Sequence, residues 1–198
     1  MKRHPERGHY DRATVDAILD AGFLCHLGFV ADGQPYVIPT LHARVGDVVY
    51  VHGSAASRTL RELDAGIPVC LTATLFDGLV LAKSVFNHSV NYRSVVLLGT
   101  AARVPDEQKE AALHALTEQL APGRWDEARQ PTATELKATW ILSIPLDEAS
   151  AKVRTGPPED EPEDLDLPVW AGVVPVHLAA EPSEYHWRRV RDDRVGAP

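Results

Sequence analysis

Cysteine is scarce in this chain: two residues, Cys25 and Cys70, among 198. Both sit inside apolar, strand-like runs, where cysteine behaves as a small buried hydrophobe, so free thiols are expected rather than a disulfide. With no CxxC spacing there is no zinc signature. Basic charge is also short, with 20 Lys and Arg against 28 Asp and Glu and a net charge of −8, which argues against nonspecific nucleic-acid binding. No apolar run approaches the roughly 18 residues of a membrane helix. The charged start MKRHPERGHYDR has no apolar stretch behind it, so a signal peptide is not expected and a cytoplasmic location is. GxGxxG, GxxxxGK[ST], GxSxG and HEXXH are missing, as is any internal repeat. None of the nine histidines forms an HxH or HxxxH pair, so nothing local supports a metal site.

What is present is a hydrophobic content of 44%, enough for one core, and a single domain over residues 1–198 is expected. Residues 1–13 read as a loose entry segment. Thr14 can cap a short helix that ends at Gly22. FLCHLGFV (23–30), YVIPTLHARV (36–45) and VVYVHG (48–53) read as strands, the last two joined as a hairpin by Gly46-Asp47. SRTLREL opens a helix that ends at Gly66. VCLTATLFDGLVLAK (69–83) is extended, with a turn or bulge at Phe76-Asp77-Gly78. NYRSVVLLGTAARV (91–104) is a strand, and residues 106–123 form the clearest helix, with Leu113, Leu116 and Leu120 on one face. Thr132 and Glu135 make a capping box, and TWILSIPL (139–146) is another strand. An acidic, Pro-rich loop spans 155–168. A closing strand follows at 169–177, then a polar tail at 178–198 that is either mobile or packed on a partner. Six or seven antiparallel strands, with a barrel core at about 23–146 and no βαβ alternation, predict a mainly β protein: an antiparallel barrel with inserted short helices.

Three stretches can carry chemistry. In HGSAASRTLREL a strand ends at His52 and a helix starts near Ser57. Its unpaired N–H groups, the hydroxyls of Ser54, Ser57 and Thr59, and the Arg58 fork suit a phosphate. The same string also describes a capped surface helix with an arginine in water. In NHSVNYRSVVLLG, Arg93 can reach an anion and Asn91 a heterocycle edge; a polar strand start explains them equally. In YVIPTLH, Pro39 marks a bulge or an edge whose free backbone groups can face a planar ring, or can simply protect that edge.

The succession YVIPTLH, VVYVHGS, SRTLREL, IPVCLTAT, NYRSVVLLG and WAGVVPV resembles the pyridoxamine 5′-phosphate oxidase-like family of FMN-binding split barrels, in its flavin-nucleotide-binding branch. The resemblance spans about residues 12–177. It implies a six-stranded Greek-key barrel and a homodimer with the flavin at the subunit interface. Pro39, Thr40 and Leu41 would run beside the ring and His52 and Gly53 along the ribityl chain. Ser57, Arg58 and Thr59 would grip the phosphate. Arg93 and Ser94 would approach from the neighbouring strand, and Trp170 would cover the ring from the partner. Thr59 stands where the oxidase has lysine, so Arg61 or Arg93 must compensate. The oxidase's C-terminal Arg-x-His pattern is absent, which argues against pyridoxamine phosphate as substrate.

The resemblance implies a flavin-dependent oxidoreductase acting on a small molecule. FMN is the expected cofactor; FAD, a deazaflavin or haem are the alternatives. No side chain is required as acid or base, and Tyr92 and His88 are the nearby candidates. A non-catalytic flavin or haem binder is the competing reading, with His26, His42, His52 or His88 as conceivable iron ligands. A third reading makes the acidic loop 159–166 an interaction element.

Overall fold

The structure is a computed structural model describing residues 5–179. After a single 3-10 turn at Pro5–Arg7, the chain runs β1 (Gly8–His9), α1 (Arg12–Ala21), β2 (Leu24–Ala31), β3 (Gln34–Val45) and β4 (Val48–Ser54). It continues through α2 (Arg58–Asp64), β5 (Pro68–Leu81), β6 (Ser89–Thr100), β7 (Ala102–Arg103), α3 (Lys109–Leu120), α4 (Arg124–Glu127) and α5 (Ala133–Ala138). Strands β8 (Thr139–Pro145), β9 (Glu148–Arg154) and β10 (Gly172–Pro175) complete it. All pairings are antiparallel, in the order β1-β9-β6-β5-β2-β3-β4-β8-β7, with β10 on β5. This is the mainly β split barrel that the pattern predicts. At its far side Gly99 of β6 lies against Ile144 and Pro145 of β8, so the sheet curls until unpaired strands meet.

Period-2 alternation builds the interior. Cys25, Leu27 and Phe29 of β2, Val69, Leu71 and Ala73 of β5, and Val95 and Leu97 of β6 all point inward. Helix α1 contributes Val15, Ile18 and Leu19 to the same core, and α2 contributes Leu60 and Leu63. A smaller cluster joins α3, through Ala112 and Leu116, to Ala43 and Ile141.

Four local expectations change. The cap of α1 is Asp11, whose side chain accepts from the Thr14 N–H; Thr14 lies inside the helix. Residues 8–9 are not loose, because β1 pairs with β9 at Gly8↔Lys152. On α3, Leu116 is buried while Leu120 is exposed, because Ala112 and Leu116, not Leu120, face Ala43. Strand β9 escapes the sequence reading altogether: EASAKVR does alternate, but its inward residues include two alanines, which are weak strand formers. The bulge at Phe76–Gly78 is present, within one continuous strand. The capping box at Thr132 and Glu135 is also present. Both cysteines are free thiols, and burial pushes the Cys25 thiol up to about 12.

The acidic loop is not merely solvated: the Asp160 carboxylate accepts from the backbone N–H groups of Lys83 and Ser84. Most of the polar tail, from residue 180 on, lies outside the described residues. Among those described, no helix is long and apolar enough to cross a membrane, and no cluster of three or more His, Cys, Asp or Glu could hold a metal ion.

Candidate functional site

Two long strands change neighbours part-way along, and each change opens a gap. Strand β3 pairs with β2 up to Leu41↔Leu24, then with β4 from His42↔Val51. Beyond Val51, β4 pairs with β8 but not with β3. Pro39, Thr40 and Leu41 therefore face His52, Gly53 and the start of α2 across an open seam. Such a seam leaves backbone donors and acceptors free for a planar ligand.

The turn from β4 into α2 closes on itself. The Ser54 carbonyl accepts from the Ser57 N–H at 2.8 Å, and the Ser54 Oγ accepts from the Ala56 N–H at 3.1 Å. Ser57 is the N-cap of α2, yet its side chain makes no capping bond, so the hydroxyl is not spent on the helix. Arg58 has a side chain 59% exposed, 3.4 Å from Asp32 and 3.7 Å from Glu62, with its guanidinium 5.1 Å from the centre of the Tyr36 ring. Exposed pairs of this kind are weak, worth about 0–1 kcal/mol, so Arg58 is held near the seam without being locked. Arg61 reaches back to donate to the Ala55 carbonyl at 3.2 Å. It is thus the second cation at the turn, where the family pattern has lysine at Thr59. Tyr36 was not singled out in the sequence; its partnership with Arg58 needs the β2–β3 hairpin to bring it close.

The second gap lies on β5, which pairs with β2 up to Ala73 and with β10 from Gly78. Between them opens a cleft of about 690 Å³ lined by Gly22, Phe23, Leu75, Asp77, Arg93 and Val176 among others. Arg93 donates to both carboxylate oxygens of Asp77, at 2.7 and 3.0 Å, and this partner holds its guanidinium firmly in the charged form. Ser94 pairs with Thr74 one position along. Strands β5 and β2 separate Arg93 and Ser94 from the seam on β3, so within one chain they do not join Ser57–Thr59. Asn91 is buried and donates to the Gly156 carbonyl at 3.1 Å while accepting from Arg154. Trp170 is exposed, just ahead of β10.

The histidines separate by their bonds. His42 is buried, with its Nε2 3.1 Å from the Leu19 carbonyl and its Nδ1 without a partner; burial lowers its pKa. His88 uses Nδ1 to accept from the Ala82 N–H at 3.1 Å, which leaves the proton on Nε2. His52 is half-buried, with Nδ1 unpartnered and its pKa lowered by burial. It lines a second cleft of about 350 Å³ behind β4, with Leu113, Trp125 and the Arg129–Glu135 pair. His26 is exposed on the outer face of β2.

Comparison with known proteins then places the chain. The pyridoxamine 5′-phosphate oxidase family model matches residues 11–153. The flavocytochrome Anf3 from Azotobacter vinelandii is 44% identical, covering 93% of this chain and 86% of its own, with a TM-score of 0.86. An FAD- and haem-binding protein from Mycobacterium smegmatis is 38% identical, covering 90% and 89% respectively, with a TM-score of 0.83. A candidate 5-nitroimidazole antibiotic resistance protein from Bacteroides thetaiotaomicron shares the fold at 20% identity, covering 74% and 86%, with a TM-score of 0.62. No curated protein sequence matches. A family model over most of the chain, two relatives aligned along nearly all of it, and a split barrel with its open seam lead to one assignment: this chain belongs to the pyridoxamine 5′-phosphate oxidase-like family.

Proposed function

We propose that the chain binds a flavin nucleotide and a haem, and works as a small flavin-dependent oxidoreductase. The observation that carries this reading is the identity of 44% and 38% to a flavocytochrome and to an FAD- and haem-binding protein, over 93% and 90% of the chain. FMN is the family's expected flavin; the second relative favours FAD.

The seam suits the flavin. Pro39, Thr40 and Leu41 offer a strand edge to the ring. Ser57, Arg58 and Thr59, with Arg61 at the turn, offer hydroxyls and cations to a phosphate. For haem, His42 is enclosed in the core and His88 has its Nδ1 on the Ala82 N–H, which leaves His52 and His26 as the candidate ligands. When bound, the two groups supply hydride and one-electron chemistry; the chain positions them.

A homodimer is part of the proposal. Val37, Leu24, Val96 and Leu98 lie exposed on the outer face of β3, β2 and β6, an apolar patch of the kind that marks an interface. Trp170 would then meet the partner's cofactor, and Arg93 with Ser94 would do so only where Arg93 leaves Asp77.

The absorption spectrum of the purified protein is the test. Flavin bands together with a Soret band are expected. His52→Ala or His26→Ala should remove the Soret band while the flavin remains. A colourless protein whose melting temperature does not respond to FAD or FMN would overturn the reading. Bound cofactors without turnover of any nicotinamide donor would make it a carrier instead.

A further inference from the structure

Strand β9 ends on an arginine that differs from most of the described ones: it is buried and has no carboxylate beside it. Arg12, Arg44, Arg58, Arg93, Arg103, Arg124 and Arg129 each pair with a carboxylate. The buried Lys109 pairs with Asp106 at 2.8 Å. Arg154 is only 9% exposed, yet among the described residues no carboxylate pairs with it. Its one side-chain hydrogen bond among the described residues runs from Nη1 to the Asn91 Oδ1, at 2.5 Å. A guanidinium stays charged in any protein setting and carries five donors. A buried charge without a counter-ion is costly, so such charges are ordinarily paired.

The surroundings aim this charge. Asn91, itself buried, fixes its amide by donating to the Gly156 carbonyl, which turns Oδ1 toward Arg154. Asn91 is thus a positioning residue. Lys152 precedes Arg154 by two residues on the same strand, so period-2 geometry puts both on one face. Its ammonium lies 5.6 Å from the centre of the Tyr92 ring, and Tyr92 is the cross-strand partner of Arg154. Lys152 also has no carboxylate partner among the described residues. In a chain of net charge −8, two adjacent cations without counter-ions form a local positive site.

We propose that Arg154 and Lys152, on either side of Tyr92, form a second anion subsite that takes a phosphoryl group. A fork and an ammonium together match the charge and the multiple acceptors of a phosphate better than those of a single carboxylate. The flavin reading bears only on the source of that phosphate. It comes either from a flavin nucleotide or from a separate phosphorylated ligand.

The experiment compares the full-length wild type with Arg154→Gln and Lys152→Gln. FAD and riboflavin affinities are measured by flavin fluorescence, and pyrophosphate binding by the shift in melting temperature. Loss of a charge-assisted contact should weaken the phosphate-bearing ligand about ten- to a hundredfold in Arg154→Gln, with a smaller loss in Lys152→Gln. If FAD binding falls and riboflavin is spared, the phosphate is the cofactor's. If FAD is unaffected but stabilisation by pyrophosphate is lost, it belongs to another ligand. Either result supports the subsite. Equal losses for FAD and riboflavin, or wild-type behaviour of both variants toward FAD and pyrophosphate, overturn it. Should Arg154→Gln fail to fold, Lys152→Gln, at the less buried of the two positions, is judged by the same criteria. Should the wild type bind no flavin at all, the flavin reading falls while the pyrophosphate measurement still decides this one.

Discussion

The two gaps in the sheet both lie where the pairing of a long strand is incomplete, and their contents are opposite. At the first, β3 passes from β2 to β4; at the second, β5 passes from β2 to β10. Each has an arginine beside it. Arg58 at the first gap touches Asp32 and Glu62 loosely at the surface, whereas Arg93 at the second is held by both oxygens of Asp77. A guanidinium with two weak, solvated contacts can exchange them for a ligand phosphate at small cost. One already engaged by a carboxylate in fork geometry has its matching partner in place. A strand's change of neighbours therefore opens a site, and the local carboxylates decide whether its arginine remains available.

The sharpest way to break this contrast is Arg58→Ala. If the seam holds a flavin phosphate, FAD or FMN affinity should fall by about 1.5–3 kcal/mol, the scale of hydrogen bonds to charged groups. Riboflavin affinity should change much less. The melting temperature of the ligand-free protein should hardly move, because exposed pairs contribute about 0–1 kcal/mol. Titration of the three ligands checks this, and equal losses for all of them would remove Arg58 from the phosphate site. At the other gap the corresponding experiment is Gly78→Ala. A Cβ on Gly78 would stand 2.9 Å from the Val174 carbonyl oxygen, which is backbone and cannot swing aside. Denaturant unfolding should show a loss of about 1–3 kcal/mol, the usual range for overpacking, with flavin affinity preserved.

These gaps were unequally legible in the sequence. Pro39 announced an edge, and the string around Ser57 announced a helix start beside cations, because both are local signals. The bulge at Phe76–Gly78 was legible for the same reason. That Asp77 would take up Arg93 was not, since they lie 16 positions apart and meet only through the β5–β6 register. Arg154 was hidden more deeply. Its strand is built on alanines, and its importance comes from a missing partner, which no residue string can display. The barrel itself was readable from alternation, while β1 and β7, at two residues each, are too short to carry any period.

His42 links the two gaps. It follows Leu41 at the seam, and its backbone N–H bonds the carbonyl of Phe23, which lines the cleft. Its ring holds the Leu19 carbonyl at the end of α1, where Gln119 also donates to the carbonyls of Leu19, Asp20 and Gly22. Burial lowers its pKa below the ordinary histidine value. The unfolded chain therefore binds this proton at a higher pH than the folded one, and stability rises with pH. The folded state should keep its full stability above about pH 6.5 and lose it as pH falls below that value, by at most about 1.4 kcal/mol per pH unit for one proton. His42→Leu should flatten that part of the stability curve measured by denaturant titration between mildly acidic and neutral pH. An unchanged slope would assign the acid sensitivity to another group.

The smallest expected effect is the most discriminating for the second gap. Asp77→Asn keeps the shape of the side chain and removes its charge, so Arg93 loses its counter-ion without leaving a void. The pair is partly exposed, with side chains 39% and 29% accessible, so the cost should be about 0.5–1 kcal/mol in stability. If Arg93 is spent on Asp77, FAD affinity should stay within about twofold of wild type, a shift of roughly 0.4 kcal/mol. If Arg93 instead reaches a cofactor across a dimer interface, releasing it from the carboxylate should tighten FAD binding severalfold while leaving riboflavin unchanged. That tightening would mean that Asp77 restrains a cofactor cation, and the two gaps would then be halves of one composite site assembled from two chains.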